Sequence, residues 1–241
     1  MGFINQTKMP NDCSNSFTIT NVTHDQWCDL AATFQIRERR SQDFLKTFCA
    51  EPDWQNTPND SGELPSPSDE HGTSHFQDGV TDQRWYEWRN QHWGTKWDAY
   101  CCANDWGSEV PSENFSVKFS TAWMPPNEEC MAVISMKFPG SLLINHYREE
   151  RMDFFGVTVA KDGVVRNLSE SSRRFFEHFI REQYPDLDAR LEADGLSLED
   201  NLHDFFEGNC DLNKLFDYIH AAFESIVVPK MIQEIEEIVA V

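Results

Sequence analysis

The residue types best suited to binding chemistry lie in the short segment from Trp85 to Trp97. Its indole rings can stack on planar groups, and the cationic side chains among them can hold an anion. The sequence therefore predicts a candidate ligand pocket formed by Trp85, Arg89, His92, Trp93, Lys96 and Trp97. The alternative, which the residue types favour, is a tryptophan-rich core. In that case Arg89 and Lys96 would form ion pairs at its rim. The expected acidic partners are Asp98 and Glu87.

Two other groups of side chains have types that can perform chemistry. Carboxylates at the end of a predicted strand, near a histidine and an arginine, have the types needed for acid–base catalysis, although solvated surface acids are the commoner case. They are Glu149, Glu150 and Asp153, with His146 and Arg148. The histidines His71 and His75, beside Asp69 and Glu70, are metal-ligand types on a Pro- and Ser-rich loop that would not align them.

Known catalytic motifs are missing from the sequence. Phosphate-binding glycine loops, Gly-x-Ser-x-Gly elbows, His-Glu-x-x-His helices and Cys-x-x-Cys pairs do not occur. We therefore predict no catalytic residues, no metal and no cofactor, and we favour a non-enzymatic protein. An enzyme built on another constellation stays open.

The seven cysteines are odd in number and lack disulfide-like spacing. With no export signal at Met1 and no apolar run long enough for a membrane span, we expect reduced thiols in the cytoplasm and no membrane contact. The adjacent Cys101 and Cys102 fit either separate packing roles on a strand or a redox or metal role, and packing is favoured.

The formal charge of −21 is concentrated in two parts of the chain. Residues 51–82 contain eight acids and no lysine or arginine, and residues 169–241 contain seventeen acids and six bases. Such a field repels phosphates and attracts basic protein surfaces. We therefore predict a partner protein with a basic surface and no direct nucleic-acid binding. Two alternatives stay open: the acidic residues serve only to keep the protein in solution, or the chain forms a homodimer.

The sharpest candidate for a partner-binding surface is a run of carboxylates with two aromatic anchors, since exposed aromatics often supply interface affinity. Its members are Asp186, Asp188, Glu192, Asp194, Glu199, Asp200, Asp204 and Glu207, with Phe205 and Phe206. The alternative is an ordinary acidic helical bundle in which the phenylalanines are core.

The elements that position these residues follow from hydrophobic spacing. Strands are predicted at 15–21, 97–104, 115–123 and 141–147. Helices are predicted at 24–50, 84–93 and 125–137, with Thr23 and Gln26 forming a capping box and Pro125-Pro126 opening the third. Asp162-Gly163 predicts a hairpin joining strands at 153–160 and 163–168.

Without residues 51–82, the order of these elements is strand, helix, strand, strand, helix, strand. It indicates an α+β fold with a ferredoxin-like split βαβ antiparallel sheet. We predict this domain at 9–168, with an acidic flexible insertion at 51–82 and an extra β-hairpin. An acidic helical region at 169–241 would follow, with Ser169 and Ser197 as helix caps.

Two sequence blocks resemble a known family. The first block runs from Met9 to Thr20. The second comprises His92 to Asp98 and, further along the chain, Thr121-Ala122-Trp123 with two prolines. Both are similar to the YubB-type ferredoxin-like domain family of phage and plasmid accessory proteins. Asp12 stands where that family usually has tryptophan. The resemblance covers about residues 9–166 and implies a mobile-element origin and action inside a bacterial host cell, but no activity.

Together these features predict an acidic binding protein that engages a host factor. It would inhibit a defence or nucleic-acid-handling protein by imitating nucleic acid. The competing hypothesis is a ligand-binding or catalytic ferredoxin-like domain that uses Arg89, His92 and Lys96.

Overall fold

A six-stranded antiparallel sheet forms the centre of the computed structural model, which describes residues 11–34, 43–69, 72–103, 111–149, 151–152, 154–171 and 223–239. The strands are β1 (Asp12–Ile19), β2 (Tyr100–Ala103), β3 (Phe115–Ala122), β4 (Leu143–Glu149), β5 (Phe154–Lys161) and β6 (Val164–Glu170). Their order is β2-β3-β1-β4-β5-β6. The first four have the ferredoxin-like split βαβ order, which confirms the predicted α+β class.

The predicted hairpin extends this sheet beyond β4. Asp162 and Gly163 both have positive φ, 49° and 86°, as a two-residue hairpin turn requires. β6 runs through Ser169, which pairs with Gly156 of β5. The prediction of Ser169 as a helix cap was therefore wrong, because the polar alternation of this segment is that of a half-exposed edge strand.

Five helices lie in the described residues: α1 (His24–Thr33), α2 (Phe44–Phe48), α3 (Arg84–His92), α4 (Glu128–Met136) and α5 (Val228–Val239), the last preceded by a π-helical turn at Phe223–Val227. The predicted capping box of α1 is present. α4 begins later than predicted, because the Asn127 side chain accepts a hydrogen bond from Cys130 N at 2.9 Å and caps the helix after the two prolines.

The main core is a cluster of aromatic rings between the sheet and the helices. Its centre, here called the phenylalanine core, comprises Phe17, Phe34, Phe44, Phe115 and Phe119, each at most 3% exposed. The Phe34 and Phe44 ring centroids are 4.3 Å apart. These residues come from β1, β3, α2 and the end of α1, so the cluster joins both halves of the split sheet.

The opposite face of the sheet is covered at the β5–β6 end by α5. Phe155, Val157 and Val159 are buried there, and since Gly156, Thr158 and Ala160 are buried on the other face, β5 is covered on both faces. On α5 itself, Val228, Met231 and Ile235 are buried. Charge pairs at the margin join α5 to the hairpin: Arg166 to Glu234 at 3.4 Å and Lys161 to Glu236 at 3.5 Å.

The acidic insertion at 51–82, described except for residues 70 and 71, is a series of hydrogen-bonded turns. Ser66 N donates to His75 O at 2.7 Å, and Phe76 N donates to Val80 O at 2.9 Å. Its path is therefore defined by specific contacts, while its flexibility stays a prediction. None of the helices in the described ranges has the length and apolarity needed to cross a membrane.

Candidate functional site

The helix α3 carries the tryptophan-rich segment and is fixed at both ends. At its start, the buried carboxylate of Asp82 accepts from Arg84 N at 3.1 Å. At its end, Asn127 N donates to Trp93 O at 2.9 Å. Gly94 has φ +81°, and a Cβ there would lie 2.7 Å from Asn127 Cβ, so only glycine permits this close approach.

Arg84 attaches the insertion to the start of α3. Its guanidinium binds both oxygens of Asp82, at 2.9 and 2.8 Å, and this pairing lowers the pKa of the Asp82 carboxyl. It also donates to Thr57 O at 2.9 Å and to Trp54 O at 3.3 Å. The same group lies 5.2 Å from the Trp54 ring centroid, a cation–π distance. One side chain thus joins the turn at residues 54–57 to the end of the insertion at Asp82.

Arg89 attaches the insertion to the middle of α3. Its guanidinium donates to Glu51 Oε2 at 3.0 and 2.6 Å and lies about 5 Å from the ring centroids of Trp85 and Trp93. The predicted pairing of Arg89 with Asp98 or Glu87 is therefore wrong. The insertion returns to α3 and supplies Glu51, whose side chain is only 7% exposed.

A cleft of about 720 Å³ lies between the insertion, α3 and the loop that follows it. Trp85 and Trp97 stack on its wall, with centroids 5.8 Å apart and planes 20° apart, and Trp54 lines it from the insertion. Arg89 also lines it, while Gln55 and Ser74 supply polar groups joined to each other at 2.6 Å. We call these residues and Arg84, with their bound acids Glu51 and Asp82, the tryptophan–arginine cluster.

The structure divides the six residues predicted to form a pocket. Trp85, Arg89 and Trp97 line the cleft, whereas the other three point elsewhere. Trp93 is 1% exposed and donates from Nε1 to Cys49 O at 2.9 Å, as a core residue. The His92 ring lies 2.7 Å from a carboxylate oxygen of Glu129.

The Lys96 ammonium lies against aromatic rings, whereas the sequence predicts an ion pair with Asp98 or Glu87. Its ammonium lies 4.6 Å from the Trp97 centroid, 5.6 Å from that of Tyr86 and 5.7 Å from that of Trp123. Thr95 beside it donates to Ala122 O and accepts from Ala122 N, both at 3.0 Å. The two parts of the second resembling block, His92 to Asp98 and Thr121 to Trp123, therefore meet in space.

Asp98 also has partners that sequence reasoning missed. Its buried carboxylate accepts backbone N–H groups from Leu45 at 2.8 Å, Lys46 at 3.0 Å and Ala99 at 2.7 Å. Burial raises the pKa of Asp98 to about 6, against the effect of these hydrogen bonds, which lower it. Asp98 thereby fixes the start of α2 to the end of the tryptophan segment.

The other predicted chemical groups are not assembled into a catalytic arrangement in the described residues. Glu149 is buried and accepts from Arg151 N at 3.2 Å and from Met152 N, so it holds the turn after β4. Glu150 and Asp153 lie outside the described residues. His75 contacts Thr81 Oγ1 at 3.3 Å.

Within the described ranges there is no group of three or more metal-ligating side chains, and His71 and Glu70 fall outside them. The predicted acidic partner-binding surface also lies outside the described residues. Its members are Asp186, Asp188, Glu192, Asp194, Glu199, Asp200, Asp204, Phe205, Phe206 and Glu207.

Comparison with known proteins gives one family similarity. A family model described as the ferredoxin-like domain in Api92-like protein matches residues 96–184. The match supports the ferredoxin-like part of the predicted resemblance and carries a different family name from the YubB type. The matched residues include β2 to β6 and α4, but not the tryptophan helix α3 or the insertion.

Similarity to solved structures is distant. The crystal structure of a protein api92 from Yersinia pseudotuberculosis matches with 16% identity and a TM-score of 0.31, over 37% of this chain and 30% of that chain. This chain thus spans less than a third of that protein. No curated protein matches.

Sequence reasoning missed Glu51, Trp54, Asp82 and Arg84 as parts of the site. Trp54 gave a weak signal, because an indole between Pro52 and Pro58 in a polar segment needs a packing partner. The acid–arginine pairs gave none, because eight acids in the insertion were equally eligible.

Proposed function

We propose that this chain is a non-enzymatic binding protein that engages a partner protein through a basic surface of that partner. The observation that carries the proposal is the presentation of the insertion. Its acids Asp53, Asp60 and Asp78 are exposed, on turns of a segment that Arg84 and Arg89 bind to α3. Acids held in a defined arrangement attract and orient a basic surface better than acids on a freely moving chain.

Apolar side chains beside these acids add a second kind of contact. Leu64 is 52% exposed and Val80 is 57% exposed. Gln77 N donates to the Glu63 carboxylate, which brings the turns that carry Leu64 and Val80 to the same end of the insertion. Charged groups around exposed apolar side chains are the usual composition of a protein interface.

The finer proposal concerns the origin and mode of action. We propose that the chain comes from a phage or plasmid, acts in the cytoplasm of a bacterial host, and inhibits a defence or nucleic-acid-handling factor by imitating nucleic acid. Support comes from the formal charge of −21 and from the acidic partner-binding surface that the sequence predicts between Asp186 and Glu207.

The test is capture from nuclease-treated bacterial lysate on the immobilised chain, with elution by rising salt. Partners held by charge should elute between about 0.1 and 1 M salt, because the Debye length falls from about 10 to about 3 Å. The variant D53N/D60N/D78N should lose them. A matched control is E87Q/E113Q/E128Q, which removes three exposed acids outside the insertion.

Competition with duplex DNA separates mimicry from general charge attraction. A mimicked partner should be displaced from the immobilised chain by duplex DNA, because both would occupy one surface. Equal loss of capture with the control variant would contradict a role of the insertion. Partners retained at about 1 M salt would contradict a charge-based contact altogether.

The tryptophan cleft supports a second candidate function, binding of a small neutral molecule with a flat face. Its volume of about 720 Å³ lies in the usual range for ligand sites, and its wall is a stacked indole pair. Arg89 is already bound to Glu51, which argues against an anion as the ligand.

A thermal-shift screen with nucleosides, sugars, nucleotides and metal ions tests this candidate. A nucleoside or sugar that stabilises the protein should lose its effect in W54L and W97L. It should keep its effect in H92Q, a change on the same helix outside the cleft. Stabilisation that survives both tryptophan changes would place the ligand elsewhere.

A further inference from the structure

Two cysteines far apart in the sequence are in contact inside the fold. The Sγ atoms of Cys49 and Cys130 lie 3.4 Å apart, although 81 positions separate them. Cys49 is the residue that ends α2, and Cys130 lies in the first turn of α4. Neither belongs to the tryptophan cleft or to the exposed acids of the insertion.

We propose that Cys49 and Cys130 are a disulfide-forming pair, which a peroxide converts into a covalent link between α2 and α4. A disulfide has an S–S length of about 2.05 Å, so the sulfurs need to approach by about 1.4 Å. Cys49 ends a helix of five residues and is followed by a loop, so a small movement can occur on its side.

The surroundings of the two thiols set the order of the reaction. Cys49 is half-buried, whereas Cys130 has no exposed surface. The hydrogen bond with Cys130 lowers the pKa of Cys49, and burial opposes this effect. The same bond, together with burial, raises the pKa of Cys130. Since the thiolate is the nucleophile, Cys49 reacts first and Cys130 resolves.

The chemistry balances with hydrogen peroxide as the oxidant. The Cys49 thiolate attacks one peroxide oxygen, the O–O bond breaks, and the hydroxide released takes up the thiol proton as water. The sulfur of Cys130 then attacks the Cys49 sulfenic sulfur. The S–S bond forms, the S–O bond breaks, and a second water leaves with the Cys130 proton.

The link would fix the point from which the insertion leaves the core. Cys49 lies two residues before Glu51, the acid bound by Arg89, and the Cys49 carbonyl accepts the hydrogen bond from Trp93 Nε1. Oxidation therefore secures the start of the insertion against α4. The inference stands independently of the partner protein proposed above.

The test is oxidation of the reduced, folded full chain with hydrogen peroxide, followed by alkylation and peptide mapping. The expected product is a monomer that is lighter by two hydrogens, with one linked peptide joining Cys49 to Cys130. Dithiothreitol should reverse it, and dilution should not slow it, because the link forms within one molecule. The oxidised chain should melt on the order of 5 °C or more higher, since the link closes a long loop.

Matched cysteine variants test which thiols form the link. C28S changes an exposed cysteine on α1 and should leave the linked peptide intact. C49S should abolish the link. C130A should also abolish it and leave Cys49 oxidised to the sulfenic or sulfinic acid. A link in the wild-type chain from Cys49 to another cysteine, or sulfinic Cys49 with no link, would overturn the proposal.

Discussion

The phenylalanine core and the tryptophan–arginine cluster are both aromatic, but they stabilise different parts of the chain by different means. The five phenylalanines are at most 3% exposed and contact one another directly. The indoles of Trp54, Trp85 and Trp97 are only partly buried, and arginines bound to acids lie among them. The first cluster closes the ferredoxin-like sheet. The second attaches a polar segment that has too few apolar residues to pack by itself.

This difference revises the expected role of the tryptophans. The sequence suggested that they hold the fold while the acidic segments make contacts. Trp93 does belong to the core, at 1% exposure. Trp54, Trp85 and Trp97, however, line the cleft between the insertion and α3, and the arginines that lie over Trp54 and Trp85 bind the insertion. Regions with few buried apolar contacts open at lower free energy than a core, so the two clusters should unfold separately.

The largest expected effect is the loss of a ring from the phenylalanine core. Phe44 is fully buried and contacts four aromatic rings, those of Phe17, Phe34, Phe48 and Phe119. F44A should lower the free energy of unfolding by about 3–5 kcal/mol, measured by urea denaturation. F48A, at a partly buried position, is the control and should cost less. A loss below about 1 kcal/mol at Phe44 would place the core elsewhere.

Asp98 joins the two clusters, because it follows Trp97 and holds the first residues of α2. Its pKa is raised from 3.8 to about 6, so folding favours the protonated form. The stability it contributes is complete below about pH 4 and is lost as the pH rises through about 6. We expect a fall of about 3 kcal/mol over this window.

The measurement is the free energy of unfolding between pH 3.5 and 7.5 for the wild type and for D98N. Other carboxylates titrate in the same range, so the difference between the two curves isolates Asp98. That difference should change with pH between about 4 and 6 and be flat above. A constant difference would mean that Asp98 has an ordinary pKa.

Sequence patterns predicted the fold better than the site, and the reason is the range of the interactions. Alternation along β1, the capping box of Thr23 and Gln26, and the turn at Asp162-Gly163 are local signals between near neighbours. The ferredoxin-like order follows once these elements are arranged along the chain. Ser169 misled, because the alternation of a half-exposed strand is weak next to a helical pattern.

The candidate site depends on pairs that no local pattern specifies. Glu51 and Arg89 are 38 positions apart, and the contact exists only because the insertion turns back onto α3. Three of the six residues predicted for the pocket do line the cleft. His92 was misplaced because a helix distributes adjacent side chains around its axis, and its ring meets Glu129 instead. Trp93 lies beside Arg89 but is buried in the core, and Lys96 lies in the loop after α3.

An intermediate effect is expected where the insertion meets α3. R89A removes two hydrogen bonds to Glu51 and leaves that largely buried carboxylate without its arginine partner. We expect a stability loss of about 2 kcal/mol, confined to the insertion. Hydrogen exchange at residues 51–82 should speed up, while amides of β1 and β3 stay protected. R89K keeps the charge and should retain part of the protection, whereas faster exchange throughout the sheet would show that the clusters unfold together.

The smallest expected effect is at the edge of the tryptophan segment. His92 and Glu129 are in contact at 2.7 Å, but their side chains are 31% and 57% exposed. Solvated pairs of this kind contribute about 0–1 kcal/mol, because water screens the charges and two side chains lose freedom. H92Q and E129Q should therefore each change the unfolding free energy by less than about 1 kcal/mol, and the double variant should show a coupling near zero. A coupling above about 1 kcal/mol would extend the tryptophan–arginine cluster to α4. Since Met131 and Ile134 of α4 also pack in the hydrophobic core, that result would weaken the distinction between the two clusters.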